Sequence, residues 1–474
     1  MSSATLAERL AVIRATGRFP DDVVNSFGAH LTEAPEEALF RMNPLQYAQA
    51  QGLPERLAID LFLHATHAGI LGFTWGILCP ACVGFLSSAA GLRHLGEREC
   101  TLCELPVSPS DDNVEVAFTV APSIRRIRFH EPESLDFRRD GLNIFFSTNR
   151  VMPPLLAKML GNFAESVLQV EKVSPGEPAT LSMELPEGEY RLFAPAHHAW
   201  SHFEVRAGAG AREERLELMD GRFVPRNFAL EPGRITLHVD SRVSRTAVMG
   251  VVRRPPFRRG AVDPHELQST LRPYLTGKML VTSQTFRELF HAESLPNDSG
   301  FEFKSLTVLF TDLKGSTELY GRVGDFRAYG LVREHFDLLR GIIAARGGSM
   351  VKTIGDAVMA SFAEPLSALK AAAEMNQAMG QLGGGSEALK LKIGLHTGPC
   401  IAVELNERLD YFGQTVNLAS RVQGAAEASE IVCTESVFQA PGAQEVISAS
   451  ALSVMKENAQ LKGVDGAVTL FRMR

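Results

Sequence analysis

From Leu306 to its end the chain alternates strand-like and helix-like stretches, which restricts it to one sheet with helices laid against it. "LTVLFTD" reads as a buried strand running straight into an acid, Asp312, and "LKGST" after it as a turn rich in small residues. The next segment carries Tyr329, Val332, Phe336, Leu339 and Ile343 at steps of three and four, the apolar face of a helix. "VKTIGDAVMASF", Val351 to Phe362, predicts a hairpin turning at Gly355, with Lys352 and Asp356 on either side of the glycine. A helix over "PLSALKAAAEMNQAMG", a strand over "LKLKIGLHTG", and a strand then a helix over "LDYFGQTVNLASRV" complete an α+β domain.

At 474 residues the chain is too long for one core, and its texture changes along its length. Residues 1–76 are helical. There "NPLQYAQAQGLPERLAIDLFLHATHAGIL" has helix-turn-helix spacing, with a short strand after it like the wing of a winged helix. Its second helix has Arg56 as its one Lys or Arg, too little positive charge for a recognition helix, so no nucleic-acid partner is expected. Residues 113–262 break into short alternating runs such as "VEVAFTV", "LNIFFST", "ATLSMEL" and "RITLHVD", the pattern of an all-β sandwich or barrel. His197, His198 and His202 cluster there, as a metal-binding loop or as exposed polar residues. Residues 263–297 return to a helical pattern, "SQTFRELFHAESLP", a linker into the last domain, 298–474.

The net charge of −7 gives no general attraction to nucleic acid or to an anionic membrane. Leu61 to Leu92 lacks Asp, Glu, Lys and Arg and is long enough to span a bilayer, but it contains His64, His67, Trp75 and a Cys-Pro-Ala-Cys. No membrane span is expected, the first residues hold no signal core, and the chain is placed in the cytoplasm. In that setting the pairs Cys79-x2-Cys82 and Cys100-x2-Cys103, within residues 77–112, fit a four-cysteine zinc ribbon with a closed, structural Zn²⁺. Cys400 and Cys433 stand alone in apolar strands and read as core residues.

Asp312 at a strand end and Asp356 at a hairpin turn are what a pair of magnesium ions needs, because Mg²⁺ takes few carboxylates and completes its shell with water and phosphates. Gly315, Ser316 and Thr317 form a small turn whose N–H groups can approach a polyphosphate. Asn417 and Arg421, four apart, project from one face of the last helix, and Lys462 lies in the turn "LKGVDG". Two acids, an Arg, a Lys and an Asn are the parts of a phosphoryl-type transfer site.

"FTDLKGST", "VKTIGDAV", "LDYFGQTVNLASRV" and "LKGVDG" resemble, in order and spacing, the class III adenylyl/guanylyl cyclase catalytic domain. The organisation upstream is similar to the N-terminal half of some soluble bacterial cyclases. The resemblance implies a ferredoxin-like βαββαβ core over 298–474. It assigns Asp312 and Asp356 to two Mg²⁺ or Mn²⁺ ions per active site, and Lys352 and Asp410 to reading the base. Asn417 would orient the ribose, and Arg421 and Lys462 would stabilise the phosphates. It also implies a homodimer, because in the family each site takes its metal acids from one domain and its base-reading residues from the other. An unidentified regulatory ligand or protein would act on the N-terminal half.

The base itself is set by hydrogen-bond sense. Adenine offers an acceptor at N1 and a donor at its 6-amino group; guanine reverses both. A lysine only donates and a carboxylate only accepts, so Lys352 with Asp410 suits ATP. Adenylate cyclase is the expected activity, with a guanylate cyclase and a nucleotide-sensing, non-catalytic module as the alternatives. His396 in "GLHTG" reads as structural.

Overall fold

The computed structural model describes all residues except 1–2, 81–82, 90–97, 101–105, 109–112, 132–134, 152–165, 195–196, 198, 254–269, 291–300, 316–320, 322–323, 381–388 and 406–407. The chain begins with helices Ser3–Ala15, Asp21–Glu33, Pro44–Gln51 and Glu55–His67. Asn43 caps the third by accepting the Leu45 N–H, and Gly52, at φ 65°, ends it, which makes the expected turn between two helices. The strand that follows, Leu71–Leu78, pairs antiparallel with Phe85–Ala89 on one side and Val114–Val120 on the other. Val114–Val120 therefore packs with the helices through Phe118, which meets Phe62 edge-on at 5.3 Å.

The β-rich run is a two-sheet sandwich. A five-stranded sheet with outer strands Asn227–Leu230 and Val167–Val173 faces a four-stranded sheet with outer strands Arg222–Val224 and Pro178–Leu185. Inward-facing Leu181, Leu192, Phe203, Leu216 and Leu237 fill the space between them. "LNIFFST" corrects the expectation of another strand: Phe137–Phe145 is helical, because Asp136 accepts the N–H groups of Arg138 and Arg139 and starts a turn there. Of the three histidines, His197 is buried with Nδ1 2.8 Å from Asp220 Oδ1, His202 stands in a strand, and His198 lies outside the described residues. The linker is also not one helix. Thr276 and Ser283 each cap a new short one, giving Gly277–Val281 and Gln284–Leu289.

The C-terminal domain is built on β1 (Phe301–Lys314), α1 (Asp325–Ala345), β2 (Gly348–Ile354), β3 (Ala357–Phe362), α2 (Pro365–Met379) and β4 (Lys390–Leu405), the expected βαββαβ order. Then come β5 (Arg408–Phe412), α3 (Gln414–Ala425), β6 (Glu430–Thr434), two short helices, β7 (Val454–Gln460) and β8 (Ala467–Met473). The sheet order is β2-β3-β1-β4-β6-β8-β7, with β5 returning along the second half of β4. In this sheet, among the described residues, only β4 and β6 run parallel. On α1 the buried stripe is Ala328, Val332, His335, Leu339 and Ile343; Tyr329 is 64% exposed, so the face toward the sheet is turned by one residue from the apolar periodicity. The turn places His335 in the core behind the β2–β3 hairpin.

Side chains of β1 alternate between two cores. Leu309 and Leu313 pack against α1 and α2 with Val358, Ile393 and Leu395. Leu306, Val308 and Phe310 belong to a second core, with Met359, Ala402 and Tyr411, that continues into Phe286, Leu280, Trp75 and the first helices. The sheet face opposite the helices is thus covered in part by the N-terminal region. Among the described residues no helix is long and apolar enough to cross a membrane.

Candidate active site

Asp312 lies near the end of β1 on the sheet face away from α1 and α2, beside Lys392 on β4. Asp356 sits in the two-residue turn between β2 and β3, where Gly355 adopts φ 64°, a conformation that disfavours any side chain. Thr311 pairs with Val358, so the ladder delivers the two acids to the same end of adjacent strands. Burial, and then the charge of Asp356, hold the Asp312 carboxyl above its usual range, against the pull of Lys392. Asp356 Oδ2 is buried without a hydrogen-bond partner among the described residues. Two repelling carboxylates, one with an unsatisfied buried oxygen, fit a divalent cation, which would neutralise both.

Lys352 on β2 and Asp410 on β5 meet although their strands are not ladder partners. Lys352 Nζ lies 2.5 Å from Asp410 Oδ2; Asp410 is 8% exposed on its side chain and Lys352 is 40% exposed. The second oxygen, Oδ1, accepts the Tyr411 N–H at 2.8 Å, which fixes the carboxylate in place. This group and the Asp312–Asp356 group share no hydrogen bond or ion pair among the described residues.

Asn417 and Arg421 are exposed on one face of α3. The helix lies close against β4 because Gly394 leaves room: a Cβ there would stand 2.2 Å from the Gln423 nitrogen. Lys462 is exposed in the turn after β7. Gly315 adopts φ 78° at the end of β1, while Ser316 and Thr317 lie outside the described residues. His396 is half-buried in β4, with Nδ1 2.8 Å from Thr434 Oγ1, and desolvation lowers its pKa to about 4. Cys433 is buried, its thiol pushed up to about 12 by desolvation, and Cys400 is buried too, as core residues are.

Of the four zinc-ribbon cysteines, Cys79 and Cys100 are buried in the same core, and Cys82 and Cys103 lie outside the described residues. Among the described residues no group of three or more His, Cys, Asp or Glu side chains could hold a metal, so the acid pair would need ligands from substrate. Sequence reasoning missed His335, a buried imidazole beside Asp356 whose pKa falls to about 4 through burial. It also missed Arg287, described below. The shifted helical phase of α1 carried a signal for the first; nothing in the sequence marked the second.

Residues 301–471 match the family model of the adenylate and guanylate cyclase catalytic domain, and the C-terminal part of the chain is a class III cyclase domain. A second family model, a family of unknown function (DUF5939), matches residues 4–288, more than half of the chain, and the chain belongs to that family. An adenylate cyclase of Anabaena cylindrica is 27% identical over 188 residues, 36% of this chain and 37% of its own length. Guanylate cyclase 2G of Mus musculus is 29% identical over 222 residues, 42% of this chain and 19% of its own. The chain thus spans well under half the length of these relatives. Among solved structures, the adenylyl cyclase CyaB from P. aeruginosa is 25% identical with a TM-score of 0.33, covering 37% of this chain and 96% of that one.

Proposed function

We propose that the chain is an adenylate cyclase that converts ATP to 3′,5′-cyclic AMP and pyrophosphate. The observation that carries this reading is the Lys352–Asp410 pair, a donor-only group beside an acceptor-only group. Together they match adenine N1 and the 6-amino group, and oppose guanine at both. Each buried mismatch costs roughly 1–3 kcal/mol.

In the reaction the 3′-oxygen bonds to the α-phosphorus, the bond to pyrophosphate breaks, and the 3′-proton is lost. Asp312 and Asp356 would hold two Mg²⁺ or Mn²⁺ ions, which when bound acidify the 3′-hydroxyl and screen the phosphates. Arg421, on the exposed face of α3, would donate to the α-phosphate as its charge grows, and Lys462 to the leaving pyrophosphate. Asn417, one turn before Arg421, would hold the ribose with its 3′-hydroxyl in line. A homodimer with two shared sites is supported by the separation of the acids from the Lys352–Asp410 pair within one chain. Exposed Ile354, Ile401, Leu405 and Phe412 on the two hairpins offer apolar surface for it. The region upstream would be regulatory, with a structural zinc on its four cysteines.

Incubation of the full chain with ATP or GTP and Mg²⁺ or Mn²⁺, with products identified by mass, tests the reading. Cyclic AMP from ATP is expected. Cyclic GMP as the main product overturns the base assignment, and nucleotide binding without pyrophosphate release makes the chain a sensor.

A further inference from the structure

The segment "TFRELF" splits its side chains between the two halves of the molecule. Phe286 packs at 6.0 Å from Phe73 and 6.3 Å from Trp75 in the N-terminal sheet, and Phe290 at 5.0 Å from Phe73. Glu288 lies 3.4 Å from Arg18. Arg287 turns the other way. Its Nη2 donates to the carbonyl of Leu409 at 2.5 Å and to that of Val351 at 3.4 Å. These are the residues immediately before Asp410 and Lys352. Gln284, one turn earlier, accepts the Met350 N–H at 2.8 Å, and the Tyr411 hydroxyl donates to the Val281 carbonyl at 3.3 Å.

We infer that Arg287 is a positioning residue for base recognition: it ties the strand of Lys352 to the strand of Asp410 and hands control of their spacing to the N-terminal region. This rests on the assignment of the pair to the base. The two strands have no ladder hydrogen bonds to each other, so the planar guanidinium, donating both N–H groups of Nη2, spans a gap that the sheet leaves open. Its charge meets carbonyl dipoles and, among the described residues, no carboxylate; its Nη1 is buried without a hydrogen-bond partner. A half-buried cation held that way is a poor source of stability, which sets a tie apart from a packing contact.

The function follows from the resting geometry. Lys352 and Asp410 bond each other at 2.5 Å, so a base edge has to part them before either can read it. With the backbones tied, the side chains open around a fixed frame; untied, the frame yields and a mismatched base is accommodated. On its outer side the helix Gln284–Leu289 lines a cleft of about 400 Å³ with Arg18 between the first two helices, Arg56 and Asp60 of the fourth, and Arg340 of α1. Movement of the N-terminal helices thus reaches the pair through one short lever.

The test uses the full chain as Arg287→Ala and Arg287→Lys, with thermal melts to establish folding. For Arg287→Ala the expected result is a KM for ATP raised about tenfold, kcat within about threefold, and the ATP-over-GTP ratio of kcat/KM lowered about tenfold. Arg287→Lys, which keeps the charge and not the reach and planar geometry of Nη2, falls between that variant and wild type. A ratio unchanged in both variants, or kcat and kcat/KM falling equally on both nucleotides, overturns the proposal. If wild type makes no cyclic nucleotide the parent reading fails instead. ATP against GTP binding to the same proteins then decides whether Arg287 tunes the pair.

Discussion

Lys352 pairs with Asp410 at 2.5 Å, and not with Asp356, its near neighbour in sequence. Two acids compete for one lysine, and the β2–β3 turn settles the matter by sending Asp356 toward Asp312. The pair is then a removable specificity element. Lys352→Glu with Asp410→Ser reverses both hydrogen-bond senses. The expected outcome is a loss of about a hundredfold in kcat/KM for ATP with a gain for GTP, from two mismatches of roughly 1–3 kcal/mol each. Equal loss on both nucleotides would show that the pair does not read the base.

The crowding of Asp312 has a measurable sign. Its folded-state pKa is raised, so the folded chain binds this proton more tightly than the unfolded one, and stability falls as pH rises from the unfolded value through the folded one. At neutral pH, without divalent cation, Asp312→Asn relieves the repulsion and raises Tm by a few degrees while activity is lost. Mn²⁺ then stabilises wild type more than the variant. A lower Tm for Asp312→Asn in metal-free buffer would contradict this.

Shared sites predict complementation. Lys352→Ala and Asp356→Ala homodimers are each nearly inactive, whereas a mixture regains activity, because one site of the heterodimer has intact acids from one chain and an intact lysine from the other. Failure to complement although mixed dimers form, by tagged pull-down, ends the shared-site model.

His396 supplies an acid limit. Its pKa drops from 6.5 to about 4 on folding, so its contribution is complete above about pH 6.5 and is lost as pH falls toward 4. His335 behaves alike. His396→Gln keeps a partner for Thr434 and removes one of the protons taken up on acid unfolding, so the fall of Tm between pH 6.5 and 4 becomes shallower. An unchanged slope would place the acid sensitivity elsewhere.

Zinc is open to direct measurement. About one Zn²⁺ per chain is expected in reduced protein, lost in Cys79→Ser/Cys82→Ser. Metal analysis finding none removes the ribbon.

The meeting of Asp312 and Asp356 was legible, because a buried strand leading into an acid and a hairpin turning at a glycine bring two carboxylates to one end of the sheet. The strand–helix order of the last domain was legible for the same local reasons. The helix at Phe137–Phe145 was not, since five residues of "LNIFFST" fit two periods and only the cap at Asp136 decides. Arg287 was invisible on stronger grounds. Its partners are the carbonyls of Val351 and Leu409, groups every residue carries, so no side-chain identity betrays the contact. The same holds for the joining of the halves, where apolar residues on β1 read equally well as core of one domain or of two.

Because β1 gives Leu309 to one core and Val308 and Phe310 to another that runs on into Trp75 and Phe286, the catalytic domain is not a detachable cassette. A gene fusion that grafts it onto a foreign sensor has to bring the helices Gly277–Val281 and Gln284–Leu289 along, or leave an oily sheet face bare.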